Sequence, residues 1–233
     1  MLKKYLPVFV VGILGGIFAF YLISHFHSYD NTKALSLPSF TPLPTDSWQN
    51  IVANESFSSV AVQSFIGSEL VRQSSGMVLS ADGLIITTAD AVVSGGYYQV
   101  LADDKILKAS MLAWDYGKNL AIFKVSAQDL NVADLDDLSI LESGQELIIT
   151  GKFVNLSKPI IFSQKAMINY VLDRDVVLDT VYNVFLNGAK VVDKNSRMVG
   201  MAYARSGKIH LIRSQTIGDF LKAQFSKKEP KPK

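Results

Sequence analysis

The chain has 233 residues, enough for one sizeable domain and a short appendage, and is 48% hydrophobic against 19% charged. Its formal net charge of +2 is too small to point to nucleic acid as a partner. The absence of cysteine excludes a disulfide framework, a cysteine nucleophile and any thiolate metal site.

Residues 6–23 are almost wholly apolar, with Lys3 and Lys4 before them and Asp30 after. About 20 such residues cross a hydrocarbon core as a helix. The positive-inside bias then predicts a cytoplasmic N-terminus and single transmembrane anchor over 1–28. The remainder is expected outside the cytoplasm, periplasmic or extracellular. A cleaved signal peptide would have a shorter apolar core and a small-x-small site. This segment ends instead in Tyr21-Leu-Ile-Ser-His-Phe-His27. His25 and His27 read there as interfacial residues rather than metal ligands. Gly12 and Gly16 form a G-x-x-x-G pattern, which lets two helices approach closely and leaves a homo-oligomer open.

Residues 29–46, with Pro38, Pro42 and Pro44, read as an extended, semi-rigid linker. Asp46 or Ser47 is placed to cap a short helix running to about Ala53. From Ser58 the chain reads as short strands: 60–66, 75–80, 84–87 after an Asp82-Gly83 turn, 97–101, 106–112, 120–125 and 146–150. The second half repeats the style at 160–164, 165–172, 176–178, 189–192, 198–204 and 208–212. Strands at this spacing indicate an all-β barrel or sandwich. In 216–225, Ile217, Phe220, Leu221 and Phe225 share one helical face. A basic tail, 226–233, follows. The folded domain is therefore expected over 47–225.

Few residues offer chemistry. The chain has three histidines, two of them, His25 and His27, at the end of the expected anchor. Transition-metal ligands are lacking. Asp134, Asp136 and Asp137 do not fit the calcium-loop spacing and read as a solvated loop. Ser94-Gly-Gly96 has no helix after it to bind phosphate. Asn54-Glu-Ser56 and Asn155-Leu-Ser157 match the short glycosylation pattern as chance would produce it. No cofactor or metal is expected.

Four stretches carry a family resemblance. Ser75-Gly-Met-Val-Leu-Ser80 with Asp82-Gly83 is similar to S-G-x-x-x-S-x-D-G. Asp82-Gly-Leu-Ile-Ile-Thr-Thr-Ala-Asp-Ala-Val92 is similar to D-G-x-I-x-T-x-x-H-x-V. Asp115-x-x-x-Asn119-Leu-Ala-Ile-Phe-Lys-Val125 is similar to D-x-x-x-D-L-A-V-L-K-I. Leu178-Asp-Thr-Val-Tyr-Asn-Val-Phe-Leu-Asn-Gly-Ala-Lys-Val-Val192 is similar to T-D-A-x-I-N-P-G-N-S-G-G-P-L-V. In this order they resemble the trypsin-like serine proteases, above all the HtrA/Deg branch. The resemblance spans about 60–225 and implies a double β-barrel with a C-terminal helix.

Laid on that pattern, the catalytic histidine falls on Asp90, the aspartate that orients it on Asn119 and the serine nucleophile on Asn187. Acyl transfer needs a hydroxyl or thiol, a base, and a group orienting the base. An amide is no nucleophile. A carboxylate of pKa about 3.9 is a weak base where an imidazole of about 6.5 is wanted. The oxyanion turn becomes Val184-Phe-Leu-Asn-Gly-Ala-Lys190. Loss of its proline and two glycines is expected to spoil the aim of its N–H groups, and bulky Phe185 and Leu186 to fill the hole, with Gly188 the glycine that remains.

The resemblance therefore implies a membrane-anchored, catalytically silent homologue that binds peptide or protein partners on the exported side. The family's substrates lie as an added strand, and the motif match puts that edge near Ile209, His210, Leu211 and Ile212. Two other readings stand beside it. One is an active envelope peptidase with rearranged groups, using His210 as a relocated base or a Ser–Lys dyad. The other is a purely structural subunit of an envelope complex.

Overall fold

The computed structural model describes residues 45–226 apart from 103–104, 136–139, 156–157 and 174. The expected membrane anchor, nearly all of the linker, Asp136, Asp137 and tail residues 227–233 lie outside the described residues. Among the described residues no helix is long and apolar enough to cross a membrane.

Helix α1 (Thr45–Ser56) begins two residues before the expected domain boundary. Twelve strands follow among the described residues. The first six are β1 (Ser59–Ile66), β2 (Glu69–Ser80), β3 (Leu84–Thr87), β4 (Tyr97–Ala102), β5 (Lys105–Asp115) and β6 (Leu120–Val125). The second six are β7 (Glu146–Asn155), β8 (Lys158–Leu172), β9 (Asp175–Asp179), β10 (Lys190–Asp193), β11 (Met198–Arg205) and β12 (Lys208–Arg213). Helix α2 (Ser214–Phe225) closes the domain. The strands form two closed antiparallel barrels, ordered β1-β2-β3-β6-β5-β4 and β10-β11-β12-β9-β8-β7. Counted from the first strand of each half, the two orders are the same.

Side-chain alternation explains why several strands read as unbroken apolar runs. In β6, Ala121, Phe123 and Val125 point into the first barrel, while Leu120 and Ile122 point into a seam between the barrels. In β7, Leu147 and Ile149 enter the second barrel and Ile148 the seam. In β10, Val191 and Val192 divide the same way. The seam also takes Met77, Met201, Ile212 and, from the helices, Ile51, Ile217 and Phe220. Both faces of these strands are therefore buried.

The turn before β3 forms as its sequence predicts. Gly83 has φ of +100°, and an added Cβ would stand 2.4 Å from the Val125 carbonyl oxygen. Several strands run longer than expected, β7 by five residues and β5 by three at its end, and two differences are larger in kind. Residues 160–164 and 165–172 form one strand, β8, whose register shifts between Ile168 and Tyr170. Nothing between Gln164 and Lys165 breaks the chain, and β8 pairs first with β7 and then with β9. β2 starts six residues early, because Glu69 to Gln73, a mixed and largely exposed run, pair with β1 where no regular apolar alternation marks a strand.

Candidate functional site

The three expected triad positions lie on three different turns. After β3 the chain makes a single 3-10 turn, Ala89–Ala91, with both alanines buried. Asp90 between them is exposed, and its carboxylate makes no hydrogen bond or ion pair among the described residues. Asn119 sits in the turn between β5 and β6 with φ of +53°, a left-handed conformation that asparagine tolerates. Its N–H donates to the Tyr116 carbonyl at 3.3 Å. No hydrogen bond joins any two of Asp90, Asn119 and Asn187 among the described residues.

Asn187 is the most firmly held of the three. Its carbonyl accepts from Ser75 N–H at 2.8 Å, tying the turn to the first barrel. Its side-chain Oδ1 accepts from Ala204 N–H at 2.6 Å. Gly188 follows with φ of +79°, and a Cβ there would lie 1.9 Å from the Ser75 carbonyl oxygen. Asn183 opens the 3-10 turn Val184–Leu186 as an Asx cap, its Oδ1 accepting from Phe185 N–H at 2.9 Å. Asn187 N–H donates back to the Val184 carbonyl at 3.2 Å. The backbone donors of Phe185 and Asn187 are thus consumed within their own turn.

Bulk does not do this. Leu186 is wholly buried in the second barrel. Phe185 turns outward and stacks on Phe153, ring centroids 4.7 Å apart. The expectation that these side chains fill the hole gives way to closure by hydrogen bonds. Asn183 was part of the motif match, but its capping role was not drawn from the sequence. An asparagine two residues before an N–H that needs an acceptor was the available signal.

The expected peptide edge at Ile209, His210, Leu211 and Ile212 is not an edge. β12 pairs along its length with β11, and with β9 through Ile209 and His210. All four residues are buried, Ile209 and Leu211 in the barrel core and Ile212 in the seam. The unclosed ladder lies one strand over. β11 pairs with β10 only as far as Met201, and beyond it Ala202 exchanges hydrogen bonds with Gly188 and Ala189. Tyr203, Ala204 and Arg205 pair only with β12.

His210 Nδ1 lies 2.7 Å from Asp175 Oδ1, and its ring stacks on Tyr203 at 5.1 Å. A base with an orienting carboxylate is present, but no serine or threonine hydroxyl is bonded to the ring among the described residues. Burial pushes the Tyr203 phenol above its ordinary 10.0, and Asp175 and Asp90 add to the effect against Arg205.

A serine–lysine contact that spacing did not reveal joins residues 132 apart. Lys190 Nζ, 1% exposed, donates to Ser58 Oγ at 2.5 Å and lies 2.6 Å from Glu55 Oε2 on α1. Burial pushes the Lys190 pKa below 10.5, while Glu55 pulls it back. The hydroxyl accepts from an ammonium held in an ion pair, which gives it no base. A cleft of about 390 Å³ opens nearby, lined by Asn54, Ser58, Asp134 and Ser196 among others. No group of three or more metal-ligating side chains occurs among the described residues.

Two six-stranded barrels of one topology, packed on an apolar seam and closed by a C-terminal helix, define the double-barrel class of trypsin-like folds. The trypsin-like peptidase domain matches residues 74–201, more than half of the chain, and the chain belongs to that family. It is 29% identical over 142 residues to a probable periplasmic serine endoprotease, DegP-like, of Halomonas elongata. That match covers 57% of this chain and 30% of the relative, so the chain spans less than a third of the relative's length. The crystal structure of the serine endoprotease from Yersinia pestis matches with a TM-score of 0.67 at 17% identity. It covers 77% of this chain and 66% of the other, and at that identity the likeness is one of fold.

Proposed function

We propose that the chain is a membrane-anchored, catalytically silent serine protease homologue that works on the exported side as a peptide- or protein-binding module. The observation that carries this reading is the turn at 183–187. Phe185 N–H is bonded to Asn183 Oδ1 and Asn187 N–H to the Val184 carbonyl. Acyl transfer needs donors aimed outward at a developing oxyanion. Here an amide stands at the nucleophile position and both donors face inward. The apolar stretch 6–23 and the periplasmic description of the Halomonas relative support anchoring and export. Strand addition is the binding mode the fold favours, along β11 at Tyr203 to Arg205.

The test is casein hydrolysis by the full chain beside a variant carrying Asp90→His, Asn119→Asp and Asn187→Ser. The natural chain is expected to give no turnover. Turnover that survives stringent purification and disappears on His210→Ala would replace this reading with that of an active peptidase. Membrane anchoring is checked by deleting residues 1–28. The truncated chain should leave the membrane fraction, and an intact chain recovered only in the soluble fraction would count against an anchor.

A further inference from the structure

The two-residue turn at Ser206 and Gly207, with φ of +51° and +74°, makes Arg205 and Lys208 the first pair of the β11–β12 hairpin. Pairs in an antiparallel ladder alternate between bonded and unbonded. Arg205–Lys208 and Tyr203–His210 are therefore bonded to each other, and Ala204 turns its N–H and C=O away from β12. Ala202 does the same, and spends its groups on Gly188 N–H at 2.9 Å and the Ala189 carbonyl at 2.8 Å. Ala204 is the next rung, with no strand opposite. Its N–H goes to Asn187 Oδ1 at 2.6 Å.

We propose that the Asn187 side chain is an internal competitor for this edge: it occupies the Ala204 donor and must swing away before an extended peptide adds to β11. The proposal rests on the strand-addition reading above. The backbone of Asn187 is pinned independently of its side chain, by Ser75 N–H on its carbonyl and by the Val184 carbonyl on its N–H. Its φ of −58° and ψ of +121° carry no strain. The amide can therefore rotate out with the turn intact. The arriving chain supplies a main-chain carbonyl in place of the side-chain amide oxygen, so one acceptor replaces another of the same kind.

The experiment follows amide exchange at Ala204 and affinity for β-casein, an unfolded probe, using the full chain, Asn187→Ala and Asn187→Asp. In Asn187→Ala, exchange at Ala204 should quicken about tenfold and casein should bind about five- to tenfold more tightly, the worth of one hydrogen bond. Asn187→Asp keeps an acceptor and should keep Ala204 protected, which separates loss of the contact from general loosening of the turn. Unchanged exchange at Ala204 in Asn187→Ala overturns the proposal. Faster exchange with casein binding unaltered also overturns it but leaves strand addition standing. Casein that binds no form at all removes the strand-addition reading together with its competitor.

Discussion

A methyl group on Gly188 would meet the Ser75 carbonyl oxygen at 1.9 Å and Thr87 Oγ1 at 2.6 Å, on a backbone that L-residues rarely adopt. Gly188→Ala is therefore expected to cost about 3 kcal/mol or more, read as a lower urea midpoint at unchanged slope. This glycine was legible as the one retained from the family's turn. Lys190 was not, because the family pattern has proline there and its partners Ser58 and Glu55 are more than a hundred residues away. Glu55→Gln would leave a buried ammonium short of its counter-charge and should cost about 3–5 kcal/mol, whereas Lys190→Met removes the charge itself and should cost less. Urea unfolding of the two variants at one pH checks the order. Asp90 and Asn187 were legible as residue types out of place, but the Asn187 bond to Ala204 depends on a chain reversal no local pattern records.

Among the elements, the turn joining β10 to β11 is built on one carboxylate. Asp193 is buried and accepts from Asn195 N–H at 2.8 Å, Arg197 N–H at 3.0 Å and the Arg197 guanidinium at 2.7 and 2.9 Å. Burial alone pushes its pKa up, but the bonds from Arg197 and Asn195 together hold it below 3.8. A carboxyl depressed in the fold gives stability that is present above the unfolded value and is lost as pH falls through the folded one. The acid limb below 3.8 should therefore flatten in Asp193→Asn, and at neutral pH that variant should lose about 1.5–3 kcal/mol. Thermal melts between pH 2 and 7 measure both. The turn at 183–187 gives a second test. Placing histidine at 90, aspartate at 119 and serine at 187 is by itself expected to give no turnover, since the N–H groups at 185 and 187 stay bonded inward. Grafting the family's Pro-Gly-Asn-Ser-Gly-Gly over 184–189 in the same variant should be needed before an activated ester is turned over. β3 and β6 were read from sequence at their observed ends, because both faces are apolar and turns flank them. β8 was split and β2 shortened, because exposed strands carry mixed residues whose pairing is set by neighbours far along the chain.

For the molecule as a whole, the seam makes the two barrels one cooperative body. Phe220 of α2 is fully buried in a cluster that draws on β2, β3 and β6 from one barrel and β7, β10, β11 and β12 from the other. Phe220→Ala should cost about 3–5 kcal/mol and lower the midpoint of both barrels together, with fluorescence and far-ultraviolet dichroism still coincident. Two separated transitions would show the barrels to be independent. The architecture was readable from the sequence because strand spacing and apolar alternation mark it independently of the residues at the site. Closure bears on another property of the protein. Sheets with open borders recruit copies of themselves, and closing each sheet into a barrel removes most such borders. The rung at Ala204 remains, and Asn187 covers half of it. The same amide that stands where a nucleophile is expected therefore also acts as a guard against aggregation, and concentrated Asn187→Ala should scatter more light on storage than the natural chain.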